Sequence, residues 1–177
     1  MDLPKYARVE RERRWLVRPG AEWRAEAYAK RLVDLYLECG NLRLREITDM
    51  DSGRVVRKLT KKYAPLGLAA QPICTLFLSV EEHRALGEMA GRPLVKVRHY
   101  VRENDHVFGV DVFEGALAGL VIAELEVDDA EALARAASPA WTLEEITGQS
   151  FFACGRLAGM TAAELRGHPR AAEFLGK

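Results

Sequence analysis

The 177-residue sequence has no surplus of charge of either sign: 26 Lys and Arg stand against 26 Asp and Glu. That balance argues against a protein that coats nucleic acid through bulk positive charge, while leaving room for local sorting of acid and base. Cysteine is scarce. Cys39, Cys74 and Cys154 are odd in number, widely spaced and never in a CxxC, and the four histidines have no ligand spacing with them. A disulfide scaffold and a zinc finger are therefore excluded, a reducing compartment is expected, and the thiols read as small buried apolar side chains. No GxxxxGK[ST], GxGxxG or GxSxG occurs, which removes P-loop, dinucleotide-binding and serine-hydrolase readings. The charged start, residues 1–14, lacks the apolar stretch of a secretory signal. The longest run without charge, residues 63–80, nears the ~18–20 residues of a membrane span. Pro65, Gly67, Gln71, Pro72, Thr75 and Ser79 interrupt it, so a loop and a buried strand are expected instead. A soluble, cytoplasmic protein with no membrane partner follows.

What is present is ordinary globular material, 49% hydrophobic and 29% charged, enough for one domain over residues 1–177. Residues 8–17 alternate with period two, so Glu10, Glu12 and Arg14 share one face of a strand that Pro19 and Gly20 end. Residues 21–30 are rich in good helix formers and predict a helix. Residues 31–38 and 41–48 predict a hairpin turning at Cys39-Gly40, and residues 54–63 and 73–80 predict two more strands. Residues 81–90 predict a helix. Residues 94–103 and 106–113 pair across Asn104-Asp105, residues 120–127 form a further strand, and residues 128–137 turn helical. The tail beyond Trp141 is less regular, with a short helix at 162–166. About eight strands joined by short turns point to an α+β fold, a closed antiparallel eight-stranded β-barrel with helices packed outside.

The strands carry charge in an unusual way. Glu10, Glu12 and Arg14 share a face, as do Arg43 and Arg45, Lys58 and Lys62, Lys96 and Arg98, and Glu124 and Glu126; Asp111 lies on a neighbouring strand. One such pair is usually a solvated face. Five strands of this kind, with Leu42 and Leu44, Val95 and Val97, or Leu125 and Val127 on the opposite faces, point instead to a polar lumen and a helix-covered exterior.

The residues also resemble a known family. Val9-Glu10-Arg11-Glu12-Arg13-Arg14 resembles the ExExK signature strand of the CYTH superfamily, the triphosphate tunnel metalloenzymes. In the order that family shows, Leu42-Arg43-Leu44-Arg45, Leu59-Thr60-Lys61-Lys62, Lys96-Val97-Arg98-His99-Tyr100, Asp111-Val112-Phe113, Ala123-Glu124-Leu125-Glu126 and Glu144-Glu145-Ile146-Thr147-Gly148 follow, spanning roughly residues 8–158. The sequence departs from the pattern at Arg14, where the family has lysine, and at Thr75 and Phe77, where acidic residues are common.

The resemblance implies a triphosphate tunnel. In it Arg43, Arg45, Lys58, Lys62, Lys96 and Arg98 bind the substrate phosphates, and Glu10, Glu12, Asp111, Glu124 and Glu126 hold one or two divalent metals. Glu10, Glu12 and Arg14 are the catalytic candidates. Carboxylate oxygens suit Mg²⁺ or Mn²⁺. The implied activity is metal-dependent hydrolysis of inorganic triphosphate or a small organic triphosphate, by a monomer or homodimer whose partner is that small molecule and not nucleic acid. Two alternatives stay open: a class IV-type adenylate cyclase, and a non-catalytic polyphosphate or nucleotide binder. Because a crowded cationic lumen relaxes when one charge leaves, Arg45→Ala is expected to weaken binding with little loss of folding.

Overall fold

The computed structural model describes residues 3–176. Strands β1 (Arg8–Val17), β2 (Ala29–Leu37), β3 (Leu42–Asp49), β4 (Val55–Lys62), β5 (Ala70–Phe77), β6 (Gly91–Glu103), β7 (His106–Phe113) and β8 (Val121–Glu126) form one antiparallel sheet. Its order is β5-β4-β3-β2-β6-β7-β8-β1, and β1 pairs back to β5 from Arg8↔Ile73 to Arg11↔Ala70, closing the barrel. The period-two patterns supply the faces; closure supplies the inside. The β6–β7 turn falls at Asn104-Asp105, where Asn104 takes a φ of 53°, a conformation its short polar side chain tolerates.

The structure corrects the expected elements in three places. Residues 21–28 are irregular rather than helical, and β2 begins at Ala29. Gly20 before Ala21 offers no capping side chain, and the aromatic side chains are held by tertiary contacts: Trp23 lies 5.4 Å from His99, Tyr28 stacks on Tyr100 at 4.7 Å, and the Glu26 amide donates to the Tyr100 carbonyl. Packing outweighs propensity here. A ninth strand, β9 (Thr142–Glu145), lies outside the barrel and pairs only with the end of β1. Its four residues are too few to show alternation. Helix α1 (Val80–Gly87) is shorter than expected and buries none of its residues; it is set by a capping box between Ser79 and Glu82.

Two apolar clusters flank the lumen. Outside the barrel, Trp15, Phe108, Val110, Ala123 and Leu125 are covered by Leu133 and Ala136 of α2 (Ala130–Arg135) and its exit, with Trp23 and Trp141 packed alongside. At the other cluster Leu16, Leu94, Phe113 and Ile122 point inward at one end of the barrel. They pack on the C-terminal helices α3 (Cys154–Leu157), α4 (Ala162–Arg166) and α5 (Ala171–Leu175), through Phe152, Leu157, Leu165 and Phe174. This segment stoppers the β6–β7–β8–β1 side of that end. His168 sits within 5.5 Å of Phe151, Phe152 and Phe174, a packing role. No helix among the described residues is long and apolar enough to cross a membrane.

Candidate functional site

The inward positions enclose a cavity of about 1000 Å³. Its described wall carries eleven Lys or Arg side chains (Arg8, Arg14, Lys30, Arg43, Arg45, Lys58, Lys62, Arg92, Lys96, Arg98, Arg156) against four carboxylates (Glu10, Glu12, Glu124, Glu126). The whole chain is neutral, so folding concentrates positive charge in this one place.

Two aspartates stand behind that wall and fix its cations. Asp34 on β2 is opposite Arg45 on β3, and its two oxygens accept from Arg45 Nε at 2.5 Å and Nη2 at 2.6 Å. Burial alone would raise the Asp34 pKa, but the Arg45 guanidinium holds it below the usual carboxylate value, and Asp34 in turn keeps Arg45 charged. Arg45 is thus half of a buried ion pair, and its removal is predicted to cost stability, against the expectation that folding is left intact. Asp111 on β7 is fully buried; Arg98 donates to both its oxygens at 2.6 Å and Lys96 Nζ binds Oδ2. Expected among the metal ligands, Asp111 instead lies off the cavity wall with its lone pairs taken by Lys96 and Arg98. Burial works against charge on Lys96, yet Asp111 foremost holds its ammonium above the ordinary value.

The four glutamates gather on two adjacent strands. Glu12 is the cross-strand partner of Glu126, and Arg14 that of Glu124. Glu10 accepts from Lys62 at 3.2 Å, Glu126 from Arg8 at 3.1 Å, and Glu124 from Arg98, with Lys96 3.9 Å away. Burial would raise Glu124, but Lys96 and Arg98 hold it far below the usual carboxylate range. Glu12 behaves oppositely: burial first, then the Glu124 charge, raises its pKa, and its nearest cation is Arg14 Nε at 3.6 Å. Arg14 also donates to the Phe152 carbonyl at 3.0 Å, tying the departure from the family lysine to the C-terminal segment. Crowded carboxylates of this kind are relieved by a hard divalent cation, and all-oxygen donors match Mg²⁺ or Mn²⁺. Among the described residues no three acidic side chains already share one coordination sphere, because each of Glu10, Glu124 and Glu126 is drawn to a cation.

The remaining sequence candidates also reach the wall. Lys58, which burial and then Arg45 and Arg43 push below its ordinary pKa, stands 5.0 Å over the Phe77 ring. Arg43 lines the cavity with its Nε buried and without a hydrogen-bond partner. Where acidic residues are common in the resembling family, Thr75 bonds Thr60 at 3.1 Å and Phe77 occupies the rim. Of the thiols, Cys39 is exposed where buried packing was expected, Cys74 is half-buried, and Cys154, half-buried against the C-terminal apolar cluster, also lines the cavity 3.8 Å from Lys96 Nζ.

Sequence reasoning passed over Asp34, Tyr36, Arg92 and Arg156. The signal for Asp34 was present: a turn centred on Cys39-Gly40 makes it the opposite number of Arg45. Arg92 lies before the expected start of its strand at residue 94, and Arg156 sits in the tail where no period exists.

No protein-family model matches the chain, and neither does any curated protein. Solved structures do. The inorganic triphosphatase NE1496 superposes with a TM-score of 0.56 at 23% identity, over 85% of this chain and 95% of that one. A crystal structure described as the hypothetical protein NE1496 gives 0.56 at 25% identity, over 86% and 99%. The PH1819 protein from Pyrococcus horikoshii OT3 gives 0.50 at 16% identity, over 71% and 82%. The closed barrel and these likenesses give the chain the antiparallel barrel fold of those structures, the fold that the ordered motifs led one to expect.

Proposed function

We propose that the protein is a divalent-metal-dependent phosphoanhydride hydrolase acting on inorganic triphosphate or a small organic triphosphate inside the barrel. The observation that carries this reading is the sorting of charge: a neutral protein gathers eleven cations and four glutamates around one cavity. An oligophosphate carries several negative charges on closely spaced oxygens, and guanidinium forks and ammonium groups from separate strands match it. Arg43, Arg45, Lys58, Lys62, Lys96 and Arg98 bind those oxygens. Asp34 and Asp111 hold Arg45, Lys96 and Arg98 in place, so little reorganisation accompanies binding.

Glu10, Glu12, Glu124 and Glu126 are the residues that would hold Mg²⁺ or Mn²⁺. Such an ion supplies charge neutralisation on the phosphates and acidifies a water. In the overall step a water oxygen bonds to the terminal phosphorus, the P–O–P bond breaks, the water gives up its protons, and orthophosphate and pyrophosphate are the products of inorganic triphosphate. Lys and Arg side chains stabilise the charge gathering on the leaving oxygen.

The test is incubation of purified protein with tripolyphosphate, ATP and thiamine triphosphate, each with Mg²⁺ or Mn²⁺. Metal-dependent orthophosphate release is expected. Pyrophosphate with cyclic AMP from ATP moves the assignment to a cyclase, and binding without any product overturns the enzymatic reading.

A further inference from the structure

The cations of the lumen fall into two classes. Arg8, Arg14, Arg45, Lys62, Lys96 and Arg98 each face a carboxylate, whereas Lys30, Arg43, Lys58, Arg92 and Arg156 stand within ion-pair distance of none among the described residues. Lys30 and Lys58 instead lie over the Tyr100 and Phe77 rings, and Arg43 has its Nε buried and unpaired. The three arginines of this second class belong together. Arg43 on β3 and Arg92 on β6 are both register partners of Tyr36 on β2, so they flank it in one row across three strands. Strands lie ~4.8 Å apart, which sets the two arginine backbones ~10 Å from each other, within reach of a shared anion. The segment carrying Arg156 lies over the same row. The Tyr36 ring rests on Gly155, where an added Cβ would stand 3.5 Å from it, and the Arg92 stem rests on Gly159, where a Cβ would stand 3.1 Å away. Glu164 feels the Arg156 charge but is beyond ion-pair distance.

The next row along the same strands is Arg45, Asp34 and Leu94, in which the acid neutralises the arginine. In the Arg43 row that acid position is taken by a neutral phenol. This row lies where β2 ends, β3 begins and β6 begins, at the edge of the C-terminal segment, where Arg92 and Arg156 are exposed. Three guanidinium groups without a carboxylate partner, gathered at one solvent-reached end of the lumen, call for an anion from outside. The cavity of about 1000 Å³ is at the top of the usual range for small-molecule sites, about 300–1000 Å³. Arginine forks favour phosphate.

We propose that Arg43, Arg92 and Arg156 form a second anion subsite at this end of the tunnel, taking further phosphates of a linear inorganic oligophosphate longer than triphosphate. This rests on the lumen being an oligophosphate site and extends it to chain length.

The experiment is calorimetric binding without metal, comparing tripolyphosphate with a linear polyphosphate of about ten phosphates, expressed per chain. The wild-type protein is expected to bind the longer chain at least about tenfold more tightly, since each phosphate–arginine contact is charge-assisted. The combined variant Arg92→Ala with Arg156→Ala is expected to bring that ratio close to one. Arg156→Glu, a change at an exposed residue, serves if the double variant does not fold, and is expected to lower the ratio by at least threefold. A wild-type ratio near one, or a ratio unmoved in the variants, overturns the subsite. So does an equal gain for ATP over tripolyphosphate that the variants abolish, because the extra group read by the arginines is then not phosphate. Hydrolysis, scored separately, decides the enzymatic reading: length-dependent binding without turnover supports the subsite and removes the hydrolase, and turnover without length dependence does the reverse.

Discussion

Replacing Arg45 by alanine isolates the electrostatics on which the lumen is built. Asp34 is 1% exposed and both its oxygens are bonded to Arg45, at 2.5 and 2.6 Å. Truncating Arg45 leaves a buried carboxylate without its partner, and breaking such a pair costs about 3–5 kcal/mol. For a chain of this length that corresponds to a melting temperature lower by roughly 6–20 °C. The pH dependence identifies the cause. In the wild-type protein Arg45 holds Asp34 below its ordinary pKa of 3.8, so the pair's contribution is present above that value and is lost as pH falls through the lowered folded pKa. In Arg45→Ala the desolvation remains and the guanidinium is gone, so the folded pKa of Asp34 moves above the unfolded one. The native state of the variant then binds the extra proton, and its stability falls as pH rises from about 4 towards that raised pKa. The wild-type-minus-variant gap therefore widens from acid to neutral pH. Urea unfolding followed by circular dichroism at pH 4.5 and 7.5 measures it. The second change Asp34→Leu, added to Arg45→Ala, is expected to recover a large part of the loss, because an apolar residue needs no partner. A variant as stable as wild type at both pH values, or a gap that narrows towards neutrality, refutes the reasoning.

Asp111→Asn keeps the shape but removes the charge that both Lys96 and Arg98 face; a fall of at least 3 °C in melting temperature and at least a threefold rise in KM for triphosphate are expected, read by thermal denaturation and steady-state kinetics. Glu126→Gln exchanges a carboxylate for a poorer cation donor at the rim, so metal-dependent turnover should fall more than tenfold with little change in stability, and near-normal rates would take Glu126 out of the site. Alkylation of Cys154, on the cavity wall, is expected to block triphosphate binding and to be slowed by bound triphosphate, whereas Cys39, exposed and away from the wall, is expected to label without effect; mass spectrometry of the labelled peptides against a binding assay checks both.

How much of this was legible in the sequence follows from which interactions are local. The period-two stretches around Glu10, Arg43, Lys58, Lys96 and Glu124 gave the strands and their faces because a strand's own pleat alternates its side chains. Propensity misled at residues 21–28, where Trp23 and Tyr28 are fixed by His99 and Tyr100, partners more than seventy positions away in the chain. The site divides in the same way. Which residues point inward is a property of single strands and was readable; which of them neutralise one another is a property of register and closure. Asp111 looked like a ligand because its face is the lumen's, and only the β6–β7 pairing, with Arg98 opposite it, makes it an anchor for cations. Asp34 was one step from recognition, since the hairpin register alone sets it against Arg45. Arg92 and Arg156 were beyond reach, because their common environment around Tyr36 is assembled from β2, β6 and a C-terminal segment without periodicity. A charge census of the sequence therefore finds the charged lumen but not which of its cations are held by a carboxylate and which are not, because that sorting is made by strand register and barrel closure.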